Sequence, residues 1–186
     1  MVEALASIAT SFGLSASAGL NAYLPLLIVA VTARFTDLIH LNAPFDALTS
    51  GWVIAILAVL TLTEVLVDKI PAVDTINDVI QTLVRPAAGA MLFAASSNVI
   101  SDIHPVLALI CGILVAGTVH AAKATARPLI TTTTAGTANP LVSTMEDIIS
   151  GVTCLLAILV PIVALGLIII GALLILRSLR RGRARA

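Results

Sequence analysis

The sequence predicts an all-α protein: a polytopic transmembrane helical bundle of about five spans, with broken or re-entrant segments. Three observations carry that prediction. Apolar residues make up 59% of the 186-residue chain and charged residues 11%, against about 25% charged in soluble domains, and mean hydropathy is +1.12. The apolar residues gather in runs close to the ~20 residues that cross a ~30 Å hydrocarbon core. The basic residues gather too: Arg177, Arg180, Arg181, Arg183 and Arg185, five of the ten, directly follow the last run, where the positive-inside rule places a cytoplasmic anchor. The length suits one domain, here residues 1–176, with residues 177–186 as a basic cytoplasmic tail.

Taken in order, the first run, Ala4 to Ala33, has no charge over thirty residues and is too long for one straight crossing, since each helical residue adds about 1.5 Å. Gly19, Asn21 and Pro25 supply a break, because Pro removes a donor and Gly and Asn tolerate non-helical backbone. Two helical pieces meeting between Gly19 and Pro25 are expected. Trp52 to Val67 is the second run and ends at Asp68-Lys69. Val79 to Ile100 is the third, interrupted by Arg85-Pro86, with Asn77 or Asp78 as its expected N-cap. Val106 to Ala122 ends at Lys123. Ile148 to Leu176 is again long and uncharged; Pro161 is expected to kink it, and Ser143-Thr144-Met145-Glu146 reads as a capping box before it. The N-terminus carries Glu3 and no basic region, so a cleaved signal peptide is not expected.

With the arginine tail inside and five crossings, the N-terminus lies outside and Arg34 inside; a hairpin of two crossings in the first run moves the N-terminus to the cytoplasm. The runs Ile56–Thr61 and Ile113–Thr118 lead at one offset to Pro71 and Pro128, a pattern of span, proline, polar link, acid and span that points to a duplication of the kind transporters carry.

The most informative residues are ionisable groups at membrane depth. A charge there costs several kcal/mol unless paired or hydrated, so it is a functional-site hypothesis by default. Glu64, Asp68, Lys69, Asp74, Asp78, Arg85, Asp102, His104, His120 and Lys123 fall in or beside the runs, with Arg127 just beyond. Thr61, Glu64 and Asp68 share one helical stripe, and His120, Lys123 and Arg127 repeat its spacing. One helix thus offers an acidic stripe and another a basic one. They form either an ion-pair ladder that fixes helix register or a polar pathway for an ion, solute or proton. Glu64 is expected to pair with Lys123 or Arg85, and Arg85 to find Asp78 or Glu64.

Thr131 to Pro140 combines five threonines with Gly136, Asn139 and Pro140 and is expected to be non-helical, either a loop or an unwound segment facing the break at Asn21 across a shared cavity. Ser7, Ser11, Ser15 and Gly19 make a small-residue face for close packing within the bundle or across a dimer. Cys111 and Cys154 sit among aliphatics and read as small hydrophobes. Three aspartates between Asp68 and Asp78 lack calcium-loop spacing. No nucleophile–base grouping, phosphate loop or zinc spacing appears, so no catalytic residue, no metal ligand and no cofactor are expected.

The strings Phe12-Gly13-Leu14-Ser15, Ala18 through Leu27, Glu64 with Asp68-Lys69-Ile70-Pro71 and Val73-Asp74, Arg85 through Ala90, His120, Lys123, Asn139-Pro140 and Glu146-Asp147 resemble the bacterial membrane family catalogued as domain of unknown function 4126. The resemblance runs from about Ser11 to Gly151, with the arginine tail outside it. It implies a multi-pass bacterial membrane domain and adds no catalytic residue. The resulting expectation is a non-enzymatic protein of the bacterial cytoplasmic membrane, a homo-oligomer with its C-terminus inside, that touches lipid and no nucleic acid. It is a small transporter or channel-like protein for an ion or small polar solute, or else a non-transporting scaffold. The expected pathway residues are Asn21, Glu64, Asp68, Arg85, His120, Lys123 and Asn139.

Overall fold

The computed structural model describes residues 2–97 and 104–160, together with Ile170, Gly171, Leu174 and Arg177. These are helical: α1 (Val2–Leu20), α2 (Tyr23–Phe35), a short 3-10 turn (Phe45–Thr49), α3 (Gly51–Val67), α4 (Pro71–Ser97), α5 (Pro105–Thr134) and α6 (Asn139–Leu159). Among the described residues three helices are long and apolar enough to cross a membrane, within Ile76–Ser96, Pro105–Thr134 and Asn139–Leu159. α2 and α3 are apolar but shorter.

α1 is the central element and packs on α4, α5 and α6. Its serine face makes that contact: Ser15 Oγ donates to Gly112 O at 2.9 Å, Ser7 Oγ to Ser96 O at 2.9 Å, and Ser96 Oγ to Ser11 Oγ at 2.9 Å. The small-residue face is therefore used inside the bundle. Where the three helices cross, a Cβ on Gly112 would lie 2.5 Å from Ala90 Cα, and one on Gly19 2.6 Å from Ala116 O.

The break in the first run is narrower than the sequence suggests. Only Asn21 and Ala22 leave the helix; Gly19 lies in the last turn of α1 and Pro25 in the first turn of α2, where a missing N–H costs nothing. Asn21 Oδ1 accepts from Leu24 N at 2.9 Å and so caps α2. Ser150 Oγ donates to Ser17 O and Thr10 Oγ1 to Ala157 O, while Cys154 Sγ lies 3.8 Å from Pro25 O. Residues on both sides of Asn21 thus run along α6 in the same direction, and α1 and α2 form a hairpin with its corner at one end of the bundle. α3 then returns to that corner, packed mainly on α2.

Four boundaries differ from expectation. α4 begins at Pro71, so Asn77 and Asp78 lie inside it and do not cap it; it also passes through Pro86 unbroken, with Gly117 of α5 facing the proline ring. α5 continues through Lys123 and the threonine run to Thr134. The threonines stay helical because their hydroxyls return to carbonyls four residues back: Thr132 to Pro128, Thr133 to Leu129 and Thr134 to Ile130. The turn is confined to 135–138, with Ala135 and Gly136 at positive φ. α6 starts at Asn139, placing Ser143 and Glu146 inside the helix, where they form no capping box. The expected kink at Pro161, Asp102, and Arg180, Arg181, Arg183 and Arg185 lie outside the described residues.

Candidate functional site

At the corner end the helices bring their polar residues into one buried network. Glu64, one turn before the end of α3, places its carboxylate on the open N-terminus of α2: Oε2 accepts from Ala22 N at 3.1 Å and from Tyr23 N at 3.4 Å. An anion there satisfies orphan donors and meets the positive end of the helix dipole. Its Oε1 accepts from Arg85 Nη2 at 3.0 Å, both side chains being fully buried. Arg85 Nη1 reaches Asp78 Oδ1 at 3.3 Å and His120 Nδ1 at 3.0 Å. Because a guanidinium only donates, the imidazole accepts at Nδ1 and carries its proton on Nε2, which donates to Thr82 Oγ1 at 3.0 Å. The Thr82 hydroxyl in turn donates to Asp78 O at 2.9 Å. His120 is thus a neutral ring with both nitrogens engaged. Arg85 is the fifteenth of 27 residues in α4 and His120 the sixteenth of 30 in α5, so this part of the network lies at half height.

Toward the bundle end, Asp68 caps α3 and gathers Lys123 Nζ at 3.0 Å, Arg85 Nη2 at 3.6 Å and Asn77 Nδ2 at 2.8 Å. Lys123 also meets Glu146 Oε2 at 3.2 Å and donates to Leu20 O at 3.3 Å. Arg127 forms a two-pronged pair with Glu146 through Nε and Nη2 and lies 3.9 Å from Asp68. Asp147, the neighbour of Glu146, accepts from Asn21 Nδ2 at 2.9 Å. The two stripes expected from sequence do face one another, acid on α3 against base on α5. Lys123 takes Asp68, however, and the partner of Glu64 is Arg85.

Five of the seven expected pathway residues, Glu64, Asp68, Arg85, His120 and Lys123, therefore join through direct contacts, and Asn21 is bonded to Asp147. Asn139 stands apart: its amide exchanges bonds with Thr131 Oγ1 across the α5–α6 turn. Asn21 meets α6 at Asp147, two turns beyond Asn139. A groove of about 400 Å³ opens elsewhere, between α4 and α5, with Asp78, Thr82, Arg127, Pro128 and Thr131 among its walls. Asp78 and Thr82 connect it to Arg85 and His120. Glu146 and Asp147 are residues of the core that the sequence reading left out of the site. The spacing of Asn139, Ser143, Asp147 and Ser150 along one helical stripe is the signal that could have found them.

Four buried side-chain atoms among the described residues lack a hydrogen-bond partner: Gln81 Oε1, Arg85 Nε, Ser143 Oγ and Asp147 Oδ2. Gln81 and Arg85 stand on adjacent turns of α4, and an orphan acceptor beside an orphan donor is the setting for one bridging water.

Apolar helices around a charged interior define an integral membrane protein of the helical-bundle class. Within that class the chain belongs to the family described as Domain of unknown function (DUF4126), whose model matches residues 8–181. The match reaches Arg180 and Arg181 and so extends beyond the stretch that resembled the family by its motifs. No curated protein and no solved structure matches the chain.

Proposed function

We propose that the protein moves an ion or small polar solute across the membrane, with the buried charges as its pathway and no catalytic chemistry. The observation that supports this is the course of the polar network, from His120 and Arg85 at half height to Arg127 and Glu146 near the bundle end, beside a groove that shares Asp78, Thr82 and Arg127 with it. Buried ion pairs stabilise a helical bundle less than apolar packing of the same volume, so their presence argues for a use. In this reading Glu64, Asp68, Arg85, His120 and Lys123 line the path, with Asn21 at its corner and Asn139 securing the adjacent turn. The setting is a bacterial cytoplasmic membrane with the C-terminal arginines inside. Any self-association uses faces other than the serine stripe, which is already occupied.

A second reading, a scaffold whose charges only lock helices, draws on the pairing itself: Arg85, Lys123 and Arg127 each meet a carboxylate within 4.0 Å. Flux separates the two. Protein reconstituted in liposomes loaded with a pH-sensitive dye, or assayed with radioactive sodium and rubidium, is expected to pass one of these ions, and Glu64→Gln to reduce that flux at least tenfold. Empty-liposome rates for all three ions, together with full function in the cell of a variant in which Glu64 and Arg85 are both apolar, would establish the scaffold.

A further inference from the structure

We propose that Ser143 and Asp147, on adjacent turns of α6, form a binding site for a monovalent cation of sodium's size. The inference names an ion for the transport reading above and rests on it only for what the ion is used for; binding itself stands or falls separately.

The first ground is charge. The described side chains of the network include five carboxylates, Glu64, Asp68, Asp78, Glu146 and Asp147, and three buried cations, Arg85, Lys123 and Arg127. His120 adds nothing, since its hydrogen bonds define a neutral ring. Arg85 pairs with both Glu64 and Asp78, and Lys123 with both Asp68 and Glu146, whereas the cation paired with Asp147 is Lys69. Glu64, Asp68, Asp78 and Glu146 each have a cation's nitrogen within 3.3 Å. Asp147 has a neutral donor, Asn21, on Oδ1, and opposite Oδ2 only Lys69 at 3.9 Å, beyond hydrogen-bond reach and 35% exposed. An exposed ammonium at that distance is strongly screened.

The second ground is the pair of orphan oxygens. Asp147 Oδ2 is buried and without a hydrogen-bond partner, and so is Ser143 Oγ, on a residue with no exposed surface. Side chains four apart on a helix lie over one another, so the hydroxyl of Ser143 stands on the stripe of Asp147. Unlike the Gln81–Arg85 pair, this one offers two oxygens, one of them a carboxylate's. Oxygen ligands select a hard cation, and one carboxylate beside one neutral hydroxyl balances a single charge, which disfavours a divalent ion. The 14% exposure of the Asp147 side chain leaves room for water to complete the shell.

The test is thermal unfolding of the full chain in detergent at constant ionic strength, with sodium, lithium or potassium chloride replacing choline chloride. Sodium is expected to raise Tm saturably, by roughly 3–6 °C at ten times its half-saturating concentration. Asp147→Asn keeps an acceptor for Asn21 and removes the charge; its Tm should no longer respond to sodium. Ser143→Ala should raise the half-saturating concentration roughly tenfold, and it decides the matter if Asp147→Asn does not fold. Equal Tm in sodium and choline would mean that these oxygens hold water or a proton only, and would overturn the site. An equal response to potassium overturns the size assignment, and an undiminished sodium response in both variants overturns the residue assignment. Sodium stabilisation without flux in liposomes leaves the site and removes transport; flux with no sodium response does the reverse.

Discussion

Arg85 hydrogen-bonds three partners from two nitrogens, Glu64 through Nη2 and Asp78 and His120 through Nη1. A lysine carries the same charge on one atom and cannot span that fork. Arg85→Lys is therefore expected to cost about 3–5 kcal/mol, the range for breaking a buried pair, read as a shift in the denaturation midpoint of purified protein. A midpoint within the error of wild type would show that charge alone suffices. His120 bears on the same fork: His120→Lys sets a second cation against Arg85, whereas His120→Gln can still present an acceptor. The lysine variant is expected to lower Tm by several degrees more than the glutamine, and the reverse order would contradict the neutral ring. That Glu64 has a cationic partner was legible in the sequence, but which cation was not. Helical spacing gives the face a side chain occupies, while its height relative to a neighbouring helix depends on how the helices pack, and packing sets Lys123 level with Asp68.

The helices themselves were largely legible, because apolar runs of this length have few alternatives in lipid. Their ends were not. The threonine run has poor intrinsic helix propensity, yet hydroxyls bonded to the carbonyls four residues back carry α5 to Thr134. Asn77 and Glu146, read as caps, contact Asp68 and Lys123 of other elements instead, and Asp78 pairs with Arg85 two turns along α4. Local chemistry at a helix end and tertiary chemistry inside a membrane protein draw on the same residue types. The serine and glycine spacing of α1 was informative, and it makes the crossing of α1, α4 and α5 sensitive to volume. Gly112→Val, whose Cβ would lie 2.5 Å from Ala90 Cα, is expected to push α4 and α5 apart and to lower stability by at least ~3 kcal/mol, the upper range of core overpacking. Gly117→Ala, facing only the Pro86 ring at 3.7 Å, should be tolerated. Unfolding of both variants in the same detergent checks the contrast.

For the whole molecule, the hairpin of α1 and α2 places the α5–α6 turn at one end of the bundle and the segment after α2 at the other. In a chain freed of Cys111 and Cys154, a cysteine at Thr137 and one at Asp37, both exposed positions, are expected to react with an impermeant thiol reagent from opposite sides of the membrane. Labelling from one side would show that α5 and α6 do not cross. The bond between Glu64 and the start of α2 also has a bearing on how the protein is made. Ala22 N and Tyr23 N donate to a carboxylate 42 and 41 positions later in the chain, and that carboxylate in turn awaits Arg85, 21 positions further on. As the ribosome delivers the chain, the α1–α2 corner is left with bare donors until α3 is inserted, and α3 with a bare anion until α4 follows. Nascent chains stalled with only α1 to α3 outside the ribosome should leave the corner open to protease or to an insertase. Extension beyond Arg85 should close it, so the first four helices are one unit of membrane insertion.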